Sequence, residues 1–278
     1  MTAVYPVAPR IGIAPALLAG KAVLTGPRLR QLRPVILPLA TAAAVLLVWQ
    51  IVVTGLRVPA VILPPPIAIG HELWRVLPVL LHHAVPTTLD TLMAFFTASA
   101  LGVGLAIAIA YSPLLRDMIY PNLVLFQLIP KVALAPLFVV WLGIGSGSRV
   151  AFAAFVSFFP VVISAVVGFA NIEASALRLC RSLTGSEWQC FAMVRFPFAL
   201  PAIFSGMKIA MTMAVIGVII SEFISAQAGL GFYILYASSR METALIFAAL
   251  LVLCVIGVAL FGAVALAEEL VHRSYGRR

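Results

Sequence analysis

The sequence predicts an all-helical, polytopic membrane protein with six transmembrane helices, and three observations carry that prediction. Hydrophobic residues make up 63% of the chain and charged residues 10%, with a mean hydropathy of +1.15, a composition outside the range of water-soluble globular domains. Apolar runs with few or no charges recur along the chain, each long enough to supply the roughly 20 helical residues that cross a hydrocarbon core. The basic residues gather between alternate runs, as the cytoplasmic bias of Lys and Arg requires.

Taken in order, residues 1–33 are basic and free of acids. They are expected to be an unstructured cytoplasmic tail, because the apolar patch from Ile11 to Gly20 is short and is followed by more cations rather than by a cleavage site. Span one is 34–56. The outside segment from Arg57 to Val85 contains Pro64, Pro65 and Pro66, and Pro66 can open a short helix along the outer surface because a first turn needs no proton on its nitrogen. His82 and His83 are neighbours that point in different directions, with no further His or Cys at ligand spacing, so they read as solvated interfacial residues rather than metal ligands. Span two, 91–115, carries Ala94, Ala98, Gly102, Ala106 and Ala110, a ridge of small residues that predicts close helix packing. Spans three to six are 118–148, 150–172, 198–221 and 243–267, and a cytoplasmic tail, 268–278, ends the chain. The transmembrane unit is therefore 34–267, too short to include an ATPase domain as well.

Six spans place both termini on one side. That side holds Arg10, Lys21, Arg28, Arg30, Arg33, Arg116, Arg178, Arg181, Arg195, Lys208, Arg273, Arg277 and Arg278, against Arg57, Arg75, Arg149 and Arg240 opposite. It is expected to be cytoplasmic. The net charge of +9 is thus accounted for by topology, without the dense basic block of a nucleic-acid binder. Cys180, Cys190 and Cys254 are widely separated and read as small buried fillers, with neither a disulfide framework nor a metal site indicated.

The cytoplasmic loop 171–201 is the most informative stretch. Ile172–Leu183 has helical composition, Thr184, Gly185 and Ser186 interrupt it, and two overlapping capping boxes, Thr184 with Glu187 and Ser186 with Gln189, announce a second helix. Pro197 and Pro201 are expected to stop that helix and return the chain to the membrane. Trp188, Phe191, Ala192 and Arg195 fall at i, i+3, i+4 and i+7, so two large rings share a face that topology places in water. Such a face calls for a partner surface, or for the ends of the chain's own helices.

The run Arg181–Gly231, RSLTGSEWQCFAMVRFPFALPAIFSGMKIAMTMAVIGVIISEFISAQAGLG, resembles the signature region of permease subunits of bacterial binding-protein-dependent ABC importers, in the branch serving nitrate, sulfonates, taurine and pyrimidine or thiamine precursors. The resemblance extends to IPKVALAPLFVVWLGIGSGSR at 129–149 and, more loosely, over the six-span core. In that family the loop forms coupling helices that dock on the ATPase. Counting back from Pro197 puts the family glycine at Thr184, with Gly185 one position late, and the family Glu-Ala-Ala triplet at Arg178, Leu179 and Cys180. The Thr implies that the turn has shifted to Gly185, and Arg178 reverses a charge at the docking surface. The resemblance implies ATPase-coupling roles for Arg178, Arg181, Thr184, Gly185, Ser186, Glu187, Trp188, Phe191, Arg195, Pro197 and Pro201. It further implies a homodimer in the bacterial inner membrane, an ATPase dimer below it, a soluble or lipid-anchored substrate-binding protein above it, and no cofactor.

Intramembrane polarity proposes a path, because ionisable groups in spans are costly and face a cavity or a partner. Lys131 lies between Pro130 and Pro136, whose freed carbonyls could face a cavity. Glu222 closes span five beside Ser221 and Ser225, and Asp90 opens span two with Thr87 and Thr88. The alternatives are a stand-alone secondary transporter and a membrane-embedded enzyme. The first would need repeats that 35–142 and 150–267 do not display by eye, and the second a catalytic motif that the chain lacks. ATP hydrolysis is expected in a separate subunit, and the transported solute to be small and polar or anionic.

Overall fold

The computed structural model describes residues 27–225 and 227–275, so the expectations for residues 1–26 and for Arg277 and Arg278 lie outside the described residues. The chain divides into two compact units, 1–56 and 57–278. In the first, α1 (Pro27–Gly55) starts inside the stretch expected to be a tail. Its segment from Ile36 to Gly55 is long and apolar enough to cross a membrane, and large side chains such as Leu39, Leu47 and Ile51 are exposed along it.

The second unit begins with α2 (Pro66–Tyr111), a single helix of 46 residues. The sequence led us to expect a short surface helix and a separate span. The two are one helix because Pro78 and Pro86 lie inside it, and each proline removes only one backbone hydrogen bond. At about 1.5 Å per residue the helix is roughly 69 Å long, about twice the hydrocarbon thickness. Pro66 occupies its first turn, as expected.

Next come α3 (Pro113–Phe126), a 3-10 turn (Lys131–Leu134) and α4 (Ala135–Leu142). Together they are long and apolar enough for a span but are bent by 92° at the break, as in a broken span or a re-entrant loop. Pro130 and Pro136 bracket the break and remove amide donors where the helix would otherwise continue. Then α5 (Ser146–Ala170), α6 (Ala174–Ser182), α7 (Glu187–Cys190), a π-turn (Phe191–Arg195), α8 (Phe196–Ser225), α9 (Leu230–Ser239) and α10 (Thr243–Tyr275) complete the unit. Among the described residues five helices are long and apolar enough to span, or six where the bent pair counts as one span.

The core lies where α5 crosses between α2 and α8. A Cβ on Gly206 would lie 2.6 Å from Ser164, and one on Gly217 2.8 Å from the Ala153 backbone, so α8 touches α5 backbone to backbone. The ridge on α2 behaves as its spacing predicts: Ala94, Ala98, Gly102 and Ala106 are buried, and a Cβ on Gly102 would come within 2.9 Å of Val161. Small residues allow this approach where lipid supplies no hydrophobic drive between helices.

Candidate functional site: a stapled loop and a polar latch

The 171–201 loop is a helix, a turn and a helix. Its α6 ends in a Schellman motif: the Gly185 amide donates to the Cys180 carbonyl at 3.2 Å and the Thr184 amide to Arg181 at 3.1 Å. Thr184 itself takes the left-handed conformation, φ 55°, so the turn has not shifted to Gly185. Gly185 is needed for closeness instead, since a Cβ there would meet the Cys180 carbonyl oxygen at 2.9 Å.

Of the two capping boxes expected, one forms. Ser186 Oγ accepts from the Gln189 amide at 3.2 Å, and the Gln189 side chain accepts from the Ser186 amide at 2.7 Å. Thr184 Oγ1 donates to the Leu183 carbonyl. Arg181 pairs with Glu187 across the turn at 3.0 Å. Cys180 and Cys190 form a disulfide with Cα atoms 5.9 Å apart, which corrects the expectation that no cysteines pair. Ten positions separate them in sequence, but the turn folds α7 back beside the end of α6. Cys254 is exposed rather than buried, its helix face being apolar and lipid-compatible.

The second helix does not stop at Pro197. The π-turn and α8 follow α7 without interruption, giving one apolar helix from Glu187 to Ser225. The Phe196 amide reaches back five residues to Phe191, and this widened turn accommodates the Pro197 ring, which would crowd a regular helix. Pro201 lies inside α8 and costs a single hydrogen bond. The aromatic face divides in two. Phe191 is half-buried among Phe169, Phe196 and Tyr111, with ring centroids 5.7 to 6.2 Å away, and Arg195 lies 4.9 Å over the Tyr111 ring. Trp188, stacked on Phe191, is 72% exposed, and Leu179 and Leu183 on α6 are 62% and 72% exposed. Arg178 is also exposed. In sequence Leu179 reads only as part of the family triplet and Leu183 only as the end of a helical stretch, although their i, i+4 spacing marks a shared apolar face.

A second polar constellation lies at the other end of the bundle. His83, Thr87 and Asp90 fall at i, i+4 and i+7 on one face of α2. Each holds a different element. The Gly229 amide donates to His83 Nδ1 at 3.2 Å, and the Leu230 amide to Thr87 Oγ1 at 2.8 Å. Thr87 Oγ1 donates to Glu222 Oε1 at 2.7 Å, while Glu222 Oε2 accepts from the Gly231 amide at 2.6 Å. The orphan amides at the start of α9 are thus capped by side chains from α2 and α8, and the carboxylate sits where the helix dipole favours an anion. A Cβ on Gly229, at φ 119°, would overlap that carboxylate, and one on Gly231 would come within 2.8 Å of it.

Three residues farther along, Asp90 accepts from Ser146 Oγ at 2.6 Å and from Arg149 Nε at 2.7 Å. The Asp90 and Arg149 side chains are 5% and 12% exposed, so the arginine counted as an outside cation is a largely covered ion-pair partner. His83 is likewise half-buried and stacked on Tyr233 with centroids 5.0 Å apart, a correction to its reading as a solvated residue; His82 is exposed. Of the residues named for a path, Glu222 and Asp90 are therefore buried and engaged with other helices of the same chain. Lys131 opens the turn in the broken span, half-buried, with Nζ 4.7 Å over the Phe159 ring. Lys208 pairs with Glu268 of α10 at 2.8 Å. Among the described residues no three His, Cys, Asp or Glu side chains come together as a metal site.

Comparison with known proteins matches residues 100–273 to the family described as binding-protein-dependent transport system inner membrane component. A probable ABC transporter permease protein of Haemophilus influenzae is 32% identical over 85% of this chain and 95% of its own length. A riboflavin transport system permease of Chloroflexus aurantiacus is 32% identical over 89% and 94%, and the taurine transport system permease of Escherichia coli 30% over 81% and 84%. The inward-facing MetNI methionine ABC transporter shares the fold with a TM-score of 0.58 at 18% identity, covering 70% of this chain and 96% of that one.

Proposed function

Because the chain belongs to the binding-protein-dependent transport system inner membrane component family, and so is the permease subunit of an ABC importer with ATP hydrolysis in a separate subunit, we propose that it couples to that ATPase through the surface of α6 and α7. The single observation that carries this reading is Trp188: a large ring 72% exposed, braced from behind by Phe191, on a helix that runs without interruption into α8. A push on Trp188 is delivered along a rod into the span that packs on α5. Arg178, Arg181, Thr184, Gly185, Ser186 and Glu187 shape and frame that surface, and Arg195, Pro197 and Pro201 fix the join to the span. The loop and both termini are cytoplasmic, and the chain acts as a homodimer with an ATPase dimer below and a substrate-binding protein above.

Lys131 is the described path residue best placed to meet a solute, since irregular backbone at membrane depth is tolerated where it lines a cavity or is buried in protein. Asp90 and Glu222 support the path by holding α5 and α9 in place. The relatives named for taurine and riboflavin, and the formylaminopyrimidine transport permease of Halalkalibacterium halodurans, define the uptake panel. Lys131→Met is expected to abolish uptake of whichever of these the wild type takes up, with ATPase assembly intact; wild-type uptake would remove Lys131 from the path.

A photoreactive benzoylphenylalanine at position 188 tests the coupling reading. It is expected to capture the ATPase subunit, while the same probe at Trp74, 82% exposed near the start of α2, captures none. ATPase capture at 74 and none at 188 would invert the orientation and overturn the proposal.

A further inference from the structure

We propose that Cys180 and Cys190 are a thiol–disulfide switch that fixes or frees α6 against the rod formed by α7 and α8. The inference rests on the coupling reading of the loop, and it names how that surface is regulated.

Four observations carry it. The two Cα atoms lie 5.9 Å apart, within the span a disulfide bridges without moving the backbone. The turn is held without the bond, by the Schellman hydrogen bonds, the Ser186–Gln189 box and the Arg181–Glu187 pair, so the sulfur bridge adds constraint rather than the fold itself. The pair straddles the one joint between the elements that carry the exposed surface: Leu179 and Leu183 lie on one side of it and Trp188 on the other. Burial is unequal, since Cys190 is 0% exposed and Cys180 is partly open, so an external reagent reaches Cys180 first.

The structure shows the oxidised form, whereas on the cytoplasmic side thiols are kept reduced and the dithiol is the resting form. Oxidation needs a low-molecular-weight disulfide such as oxidised glutathione. The Cys180 thiolate attacks it, forming a mixed disulfide and releasing one glutathione thiolate. The Cys190 thiolate then attacks Cys180 Sγ and expels the second. Two cysteine thiols lose two electrons and two protons, and one external disulfide becomes two thiols. A reducing thiol attacking Cys180 reverses both steps. When reduced, the Leu183–Ser186 turn is held only by hydrogen bonds and one exposed ion pair, which can open and re-form, so α6 can hinge there as well as at the non-helical residues 171–173. The disulfide removes the second hinge, locking the docking surface in one geometry while transport requires it to follow the ATPase.

The test uses the complex purified with the ATPase that accompanies this chain, in a Cys254→Ser background that leaves one pairing possible. After oxidised glutathione, non-reducing peptide mapping is expected to show the Cys180–Cys190 bond. ATP hydrolysis is expected to fall about fivefold, at the low end of couplings between sites, and dithiothreitol to restore it. The Cys180→Ser, Cys190→Ser double variant is expected to hydrolyse ATP at the reduced rate and to ignore the oxidant. Absence of the bond, or its formation with unchanged hydrolysis, overturns the switch while Trp188→Ala still loses the ATPase. If Trp188→Ala keeps the ATPase, the coupling reading fails and the switch falls with it.

Discussion

Thr184 occupies a left-handed backbone position, φ 55°, where a Cβ is crowded and glycine is at ease. The conformation costs a non-glycine residue roughly 1–2 kcal/mol, and glycine gives part of that back through its freer unfolded chain. Thr184→Gly is therefore expected to stabilise the chain by about 0.5 kcal/mol, read as a raised thermal midpoint in detergent; a lowered midpoint would mean that the hydroxyl matters more than the backbone. Glu222 presents the opposite case. Its carboxylate accepts two hydrogen bonds at 1% exposure, and removing it strands the Gly231 amide away from water, while Thr87 falls back on its longer bond to the His83 carbonyl at 3.2 Å. Glu222→Ala is expected to cost about 3 kcal/mol, visible as a large fall in the midpoint, with Glu222→Gln losing less because one acceptor survives. Equal midpoints for wild type and Glu222→Ala would show that the carboxylate does not hold α9. Glu222, Thr87 and Asp90 could each be picked out in the sequence as polar residues in apolar surroundings, but their union could not. Glu222 and Thr87 lie 135 positions apart, and no local period links a residue of α8 to one of α2.

At the scale of the element, the rod from α7 through the π-turn into α8 changes what the loop can do. Pro197 and Pro201 read as stops because a proline forbids one backbone hydrogen bond, but the π-turn widens the helix ahead of Pro197 and the axis continues. Some local chemistry was legible, as in the Ser186–Gln189 box and the small-residue ridge on α2, while the equally local Thr184–Glu187 box does not form because Glu187 pairs with Arg181. Partners on other helices were not legible, and Phe191 is the clearest instance. Its period placed it beside Trp188, whereas its contacts with Phe169 and Tyr111 belong to α5 and α2. Phe191→Ala is accordingly expected to behave as a large-to-small change at a half-buried packing site, destabilising by about 1.5 kcal/mol and lowering the yield of folded protein. Full yield and an unchanged midpoint would place Phe191 on the outer surface with Trp188.

For the whole molecule, α5 is the hub: α2 and α8 cross it through small residues, Arg149 at one end is held by Asp90, and the other end leads into α6. Displacement of the loop therefore reaches α5 by two routes, through residues 171–173 and through the α7–α8 rod. The class of the protein and five of its apolar spans were legible from composition and apolar run length alone, since those depend on the bilayer as solvent. The bend in span three and the unbroken α2 depend on how each proline's lost hydrogen bond is accommodated, which composition does not encode. The central claim is that the exposed part of the loop is the handle by which an ATPase moves this bundle, and Trp188→Ala alone tests it most directly. Truncating an aromatic anchor at an interface costs about 2 kcal/mol, so ATPase affinity is predicted to fall more than tenfold. The thermal midpoint of the isolated permease should stay unchanged, because Trp188 is 72% exposed and its loss opens no cavity. Undiminished ATPase retention in detergent pull-down, with a stable and folded variant, would contradict the account.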